Sequence, residues 1–112
     1  MKLLFICSRN KWRSRTAEDI FKTSKNYDVR SAGTAESARI KVNEKLLNWA
    51  DVIFVMERKH KQRLMEKFHS IMSTKEIKVL DIPDEYQYMD KKLVELLTGS
   101  VSTYLDKSKS NN

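Results

Sequence analysis

The sequence predicts a single α/β domain with a four-stranded parallel sheet and helices on both faces. Short apolar runs alternate with amphipathic stretches along the chain, which is the order that βαβ units produce. The run Val52–Met56 is continuously apolar and rich in β-branched residues, as expected for a strand that is covered on both faces. A chain of 112 residues has the length of one domain with one core.

The elements of the first half follow from local patterns. Leu3–Ile6 is an apolar run typical of a buried strand, and Tyr27–Ala32 predicts a second strand that ends at Gly33. Helical spacing of apolar residues between these strands predicts a helix that contains Ala17, Ile20 and Phe21. Asn43 is a suitable N-cap for a second helix, whose apolar face comprises Leu46, Leu47 and Ala50.

The second half continues the alternation. After Val52–Met56, a basic amphipathic helix has an apolar stripe made of Leu64, Met65 and Phe68. Ile77–Leu80 predicts the fourth strand, and Asp90 is placed to cap a closing helix. We expect three methionines to fill the core, namely Met65, Met72 and Met89. The polar residues 107–112 predict a disordered tail, so that the domain spans residues 1–106.

Composition excludes several classes of site. The single Cys allows no internal disulfide, no multi-cysteine zinc site and no CxxC redox pair. The two glycines, Gly33 and Gly99, are too few for a nucleotide-binding loop. His60 and His69 are the only histidines, and surface exposure or core packing explains them better than metal binding, so we expect no metal and no cofactor.

Hydropathy predicts neither a membrane span nor a secretion signal. No apolar run approaches the roughly 18 residues that a bilayer requires. The apolar run of the first strand is too short for the core of a signal peptide. A lone thiol is compatible with a reducing compartment, so we expect a cytoplasmic protein, and we expect a monomer.

The segment Cys7–Ser14 combines a nucleophile with cations. It reads Cys-Ser-Arg-Asn-Lys-Trp-Arg-Ser, follows a predicted strand and opens a predicted helix. Unpaired backbone N–H groups and the helix dipole favour an anion at such a place. The amides of this loop come from Ser8, Arg9, Asn10 and Lys11. A thiol in this position is expected to ionise to the thiolate.

The side chains of the same segment complete an anion-binding cup. Arg13 can hold two oxygens of a tetrahedral oxyanion, and Ser14 can donate a hydrogen bond to the sulfur. Asn10 tolerates the left-handed backbone that a tight loop requires. On the spacing of Cys7 and Arg13 alone, the alternative is a small buried residue at a strand end beside a solvated basic face. The order of strand, loop and helix favours the cup.

The segment Cys7–Ser14, continued by Thr16-Ala17-Glu18, resembles the phosphate-binding loop of the low-molecular-weight protein tyrosine phosphatases. Ser31-Ala32-Gly33-Thr34 and Ala38-Arg39 are similar to the next two motifs of that family. Ala50–Met56 resembles the family's strand-and-Met stretch, and Pro83-Asp84-Glu85-Tyr86 resembles its late Asp-Pro-Tyr loop. These similarities follow the family order over nearly the whole chain.

The resemblance implies the fold described above and a two-step phosphoryl transfer without metal or cofactor. Cys7 would attack phosphorus and form a phosphocysteine, while Arg13 and the loop amides hold the oxygens. Asp84 would act first as the general acid and then as the general base. Ser14 would stabilise the leaving sulfur. The residues expected to bind the phosphate or the substrate are Ser8, Arg9, Asn10, Lys11, Trp12 and Tyr86.

The sequence departs from the family pattern in the cup and after Thr34. Arg9 and Lys11 replace small and apolar residues, and Trp12 stands where many members have a second Cys. Trp12 either supplies an aromatic wall or packs on the adjacent helix. The segment before Ala38 is short and lacks the usual specificity loop, so the physiological substrate stays open. Asp81 is the alternative general acid if the shorter chain shifts the loop.

Two other functions compete with a phosphatase that acts on phosphotyrosine or related aryl phosphomonoesters. One is an enzyme similar to arsenate reductases that uses an external thiol, since the chain has no second Cys. The other is a non-catalytic module that binds anions or nucleic acid. Arg58–Arg63 is basic, but no aromatic residues interleave it, so a solvated helix face is the better interpretation and nucleic acid is not expected as a partner. The expected partner is a phosphorylated protein or a small aryl phosphate.

Overall fold

The computed structural model describes the backbone of residues 1–110 and the side chains of residues 1–106. Its sheet contains four strands, β1 (Lys2–Cys7), β2 (Asp28–Gly33), β3 (Val52–Val55) and β4 (Glu76–Val79). The strands are parallel and are ordered β2-β1-β3-β4, so β1 and β3 are central. The predicted fold class is confirmed, and every predicted strand is present with small changes at its ends.

Helices cover both faces of this sheet. They are α1 (Arg13–Phe21), α2 (Glu44–Trp49), α3 (Arg58–Lys67), α4 (His69–Met72) and α5 (Lys91–Ser110). Helices α1 and α5 pack on one face, and α2, α3 and α4 pack on the other. The two faces follow from the alternation of side chains along a strand, which in β1 sends Phe5 to the first core and Ile6 to the second.

Two helix caps confirm the predicted helix starts. Asn43 Oδ1 accepts a hydrogen bond from the backbone N–H of Leu46 at 2.9 Å, and Asp90 Oδ1 accepts one from that of Lys92 at 2.8 Å. Helix α5 continues to Ser110, into the segment for which the sequence predicts a disordered tail. Residues 111–112 of that segment lie outside the described residues, and the division at residue 106 stays a prediction.

The prediction that three methionines fill the core is wrong for two of them. Met72 is buried, but Met65 is 39% exposed and Met89 is 46% exposed. Helix α3 turns His60 and Leu64 inwards, and Met65 is therefore rotated away from the sheet. Met89 lies in the loop before α5 with a φ of 60°, where its side chain has no core to enter.

The structure also differs from the predicted helix that follows β3. Phe68, with φ of −124° and ψ of 44°, interrupts the helical backbone and separates α3 from the single turn of α4. Among residues 1–110, no helix has the length and apolarity needed to cross a membrane.

Candidate active site

The candidate site is a cavity of about 400 Å³ at the carboxyl end of β1. This is the edge at which parallel α/β sheets bind ligands, and α1 begins there at Arg13. The cavity is lined by Cys7, Ser8, Arg9, Lys11, Trp12, Arg13 and Asp84. A second groove of similar size, about 390 Å³, lies between Thr34 and α3, and its lining contains neither Cys nor His. The position of Cys7 therefore places the candidate reaction site in the first cavity.

The loop that follows Cys7 is held from outside by the segment 34–39. Four successive carbonyls of the loop, from Cys7 to Asn10, each accept a hydrogen bond from this segment. The donors in order are Thr34 N at 3.0 Å, Ala35 N at 2.9 Å, Arg39 N at 2.9 Å and Arg39 Nε at 3.1 Å. In a planar trans peptide the N–H points opposite to the preceding carbonyl. The amides of residues 8–11 therefore face away from segment 34–39. No residue of that segment lines the cavity.

Gly33 permits this close approach of the two segments. A Cβ at this position would lie 2.5 Å from the Ser8 carbonyl oxygen and 2.7 Å from the Ala38 Cβ. Both distances are too short for a real side chain, so glycine is required by the backbone contact. The short connection after β2 thus supports the loop that follows Cys7 directly.

Asn10 fixes the shape of the loop from within. It is fully buried and has a φ of 58°, which is the left-handed conformation that the sequence predicts for it. Its Nδ2 donates hydrogen bonds to Ser14 Oγ at 2.7 Å and to Ser31 Oγ at 2.9 Å. The Ser31 hydroxyl in turn donates to the Glu18 carboxylate. This network joins the loop to α1 and β2.

Ser14 is placed to stabilise an anionic sulfur. The Ser14 Oγ lies 3.0 Å from Cys7 Sγ, and both residues are buried. Because Asn10 already donates to this oxygen, the single Ser14 proton is available for the sulfur or for the Ala32 carbonyl, which is 3.3 Å away. A thiolate is the stronger acceptor of the two and would take that proton.

Arg13 lies almost entirely inside the protein, with 2% of its side chain exposed. Its Nη1 donates a hydrogen bond to the Ile82 carbonyl at 2.8 Å and contacts Glu57 Oε2 at 3.1 Å. Burial disfavours the charged form of Glu57, but its bond to Arg13 and the attraction of that charge outweigh burial and lower the pKa of the carboxyl group. Since Nη1 is occupied, the Nε–Nη2 edge of the guanidinium is the one that can bind two oxygens of an oxyanion.

The loop after β4 brings Asp84 to the cavity. Asp84 Oδ1 lies 3.8 Å from Arg13 Nε, and the side chain is 56% exposed. The alternative acid, Asp81, is exposed, has a φ of 55° and is not among the residues that line the cavity. Tyr86 does not line the cavity either, because it is half-buried against the core beneath α1 and α5. Of the two carboxyl groups, Asp84 is therefore the one that lines the cavity, and Tyr86 lies outside the lining.

The rim of the cavity carries positive charge and one aromatic ring. Arg9 and Lys11 are exposed, and neither forms an ion pair within the part of the chain whose side chains are described. Trp12 is 43% exposed and lines the cavity, so of its two interpretations the structure favours the aromatic wall. The rim therefore suits a ligand that is anionic and has an apolar ring.

His60 contacts the loop after β1, and the sequence does not predict this contact. It is buried in the first turn of α3, and its Nε2 lies 2.9 Å from Ser8 Oγ. The backbone N–H of Glu57 donates to His60 Nδ1 at 3.0 Å. Burial, and next the positive charge of Arg13, lower the pKa of His60 to about 4, so the ring is neutral at neutral pH. No pattern in the sequence distinguishes this histidine from one on a solvated basic helix.

Among the side chains of residues 1–106, no group of three His, Cys, Asp or Glu residues could hold a metal ion. The side chains that line the cavity are a thiol, a hydroxyl, three cations, an indole and a carboxyl group. The thiol and the carboxyl group are suited to nucleophilic and acid–base chemistry.

The structure has the fold of the low-molecular-weight protein tyrosine phosphatases. The phosphatase of this class from T. tengcongensis superposes with a TM-score of 0.79 at 22% identity, and the match covers 96% of this chain and 99% of that one. Vibrio vulnificus Wzb in complex with benzylphosphonate gives a TM-score of 0.75 at 21% identity, with coverage of 95% and 97%. The YwlE arginine phosphatase, as a Cys-to-Ser mutant with a phosphorylated active-site serine, gives 0.74 at 21% identity and full coverage of both chains. The sequence itself matches no protein-family model and no curated protein.

Proposed function

We propose that the protein is a phosphatase that hydrolyses phosphotyrosine or related aryl phosphomonoesters through a phosphocysteine intermediate. The observation that carries this proposal is the cavity itself, in which Cys7, Arg13 and Asp84 line one space. The fold neighbours support it, because they are named as tyrosine and arginine phosphatases. A phosphorylated serine in place of the YwlE cysteine is a precedent for the covalent intermediate in that protein.

In the first step the Cys7 thiolate attacks phosphorus and the bond from phosphorus to the leaving oxygen breaks. Arg13 and the loop amides hold the equatorial oxygens, whose negative charge they offset in the transition state. Asp84 gives its proton to the leaving oxygen, so that the product departs as a neutral phenol. The products of this step are phosphocysteine, the phenol and an ionised Asp84.

In the second step water attacks the phosphocysteine. Asp84 takes a proton from this water, and the S–P bond breaks to release inorganic phosphate and a Cys7 thiolate. The Ser14 hydroxyl, 3.0 Å from the sulfur, donates its hydrogen bond to the departing thiolate. Both steps use the same carboxyl group in opposite protonation states, and the enzyme returns to its starting form.

The rim favours an aryl phosphate over phosphoarginine, the substrate suggested by the name of YwlE. Arg9 and Lys11 repel a cationic guanidinium group as it leaves, whereas Trp12 can stack on an aromatic ring. Benzylphosphonate, which Vibrio vulnificus Wzb binds, has the same combination of an aromatic ring and a phosphoryl-type anion.

The function is tested by phosphate release from two peptides that differ only in phosphotyrosine or phosphoarginine, with EDTA present. We expect turnover of the phosphotyrosine peptide, inhibition by vanadate and slower turnover of the phosphoarginine peptide. Preference for phosphoarginine would overturn the aryl assignment. Absence of turnover, together with salt-dependent RNA binding or with thiol-dependent arsenate reduction, would overturn the phosphatase proposal.

The Asp84→Asn variant tests the general acid. We expect its kcat to fall by about 10²- to 10⁴-fold for phenyl phosphate, which has a poor leaving group that needs the proton. For p-nitrophenyl phosphate, whose leaving group is good, the loss should be much smaller. Asp81→Asn is the matched control and should behave like the unmodified chain with both substrates. A leaving-group dependence in Asp81→Asn instead of Asp84→Asn would transfer the role to Asp81.

The proposed setting is a monomer in the cytoplasm with a phosphorylated protein or a small aryl phosphate as partner. The chain has no second Cys that could form a protective disulfide with an oxidised Cys7. Recovery from oxidation would therefore depend on an external thiol, which a reducing compartment supplies.

A further inference from the structure

We propose that His60 is a positioning residue that orients the Ser8 hydroxyl, so that Ser8 donates a hydrogen bond to a phosphate oxygen bound above Cys7. This inference rests on the proposed function for the identity of the ligand. It concerns a contact between two elements that lie far apart in sequence, the loop after β1 and the first turn of α3.

The hydrogen bonds of His60 determine which ring nitrogen carries the proton. The backbone N–H of Glu57 donates to Nδ1 at 3.0 Å, so Nδ1 is unprotonated. The proton of the neutral ring is therefore on Nε2, which lies 2.9 Å from Ser8 Oγ and donates to it. His60 is 1% exposed, so both ring nitrogens are shielded from bulk solvent.

This direction of donation determines what Ser8 can do. The Ser8 oxygen accepts from His60, so its own proton is free to donate. Among the side chains described, Ser8 Oγ has no recorded partner other than His60, and Ser8 lines the cavity that contains Cys7. A phosphate oxygen in that cavity would accept the hydrogen bond that the Ser8 hydroxyl is free to donate.

Glu57 links the His60–Ser8 contact to Arg13. Its backbone N–H holds His60, and its carboxylate contacts Arg13 Nη1 at 3.1 Å. The same turn at the start of α3 therefore fixes two phosphate-binding groups, the Ser8 hydroxyl through His60 and the Arg13 guanidinium through Glu57. Glu57 thus anchors both donors at one residue, which fixes their separation.

Two substitutions of His60 separate its two hydrogen bonds. In His60→Asn the side-chain oxygen can replace Nδ1 and accept from Glu57, but the side chain is too short to reach Ser8. In His60→Gln the terminal amide can replace Nε2 and donate to Ser8, while the bond from Glu57 is lost. Ser8→Ala removes the proposed phosphate donor itself and keeps His60. The three variants are compared by kcat and KM for p-nitrophenyl phosphate, and by titration calorimetry with inorganic phosphate.

We expect Ser8→Ala and His60→Asn to weaken phosphate binding and to lower kcat/KM by about 10- to 100-fold, as for the loss of a hydrogen bond to a charged group. His60→Gln should retain most of both properties. The double variant Ser8→Ala/His60→Asn should lose no more than Ser8→Ala, because one interaction is removed twice.

Three results would overturn the proposal. These are unchanged phosphate affinity in Ser8→Ala, equal losses in His60→Asn and His60→Gln, or additive losses in the double variant. A purely structural role of His60 would lower the unfolding temperature without a selective change in phosphate affinity. If the unmodified chain binds phosphate but hydrolyses nothing, the proposed function fails, and the calorimetric comparison still decides the role of His60.

Discussion

Replacement of Cys7 by serine is expected to abolish hydrolysis, with a loss of at least about 10⁴-fold in kcat. A serine hydroxyl does not ionise at neutral pH and is a much weaker nucleophile than a thiolate, while the anion-binding groups of the cup remain. Cys7→Ser should therefore still bind inorganic phosphate, which calorimetry measures on the same sample. Loss of turnover together with retained phosphate binding separates chemistry from folding.

Cys7 also lies in the core, with 3% of its surface exposed, and this is the basis of the competing structural role. The matched control is Cys7→Ala. If the thiol were only a small core residue, the alanine variant would lose stability and keep its activity. Because Cys7 is the only cysteine, alkylation with iodoacetamide gives one mass shift, and phosphate should slow it. Activity in either variant would contradict the nucleophile assignment.

The fold could be predicted because its signals are local. Val52–Val55 is apolar without interruption, short and rich in β-branched residues, which favours a strand with helices on both faces. Asn43 predicts the start of α2, because its side chain accepts a hydrogen bond from the backbone N–H of Leu46, three residues later. The break at Phe68 was not predictable, since Leu64 and Phe68 keep the spacing of one continuous helix. The face of α3 was also uncertain, because Leu64 and Met65 are adjacent and only the packing decides which is buried.

The candidate site, like the fold, combines local features that the sequence predicts with contacts between distant segments that it does not. Cys7, Asn10, Arg13 and Ser14 lie within one loop and the start of its helix. The contact between Ser14 and the Cys7 sulfur and the left-handed backbone of Asn10 are features that this local sequence predicts. Contacts between distant segments carry no such signal. The bond from His60 to Ser8 joins residues 52 positions apart, and it depends on the register between β1 and β3. The position of Tyr86 outside the cavity likewise depends on how the loop after β4 packs against the core.

Replacement of Arg13 by lysine is expected to lower kcat by about 10²- to 10³-fold, the usual effect of removing a transition-state donor. Lysine keeps the positive charge beside Glu57 but lacks the planar edge that binds two oxygens together. Because the lost interaction is strongest in the transition state, kcat should fall more than KM rises. Steady-state kinetics with p-nitrophenyl phosphate measures this difference.

Arg13 also stabilises the fold, so the catalytic and structural effects must be separated. Arg13→Ala removes a buried side chain and leaves the Glu57 carboxylate, which is 27% exposed, with the exposed Lys59 at 3.4 Å in place of its buried partner. It should destabilise the protein by about 3 kcal/mol in urea unfolding. Glu57→Gln is the matched control, because it breaks the ion pair and keeps the guanidinium bound to the Ile82 carbonyl. If the ion pair alone mattered, Glu57→Gln, which breaks it, would lose more activity than Arg13→Lys, which keeps a positive charge beside Glu57. A loss of less than about tenfold in Glu57→Gln, against the larger loss in Arg13→Lys, assigns the difference to oxyanion binding by the free edge of Arg13.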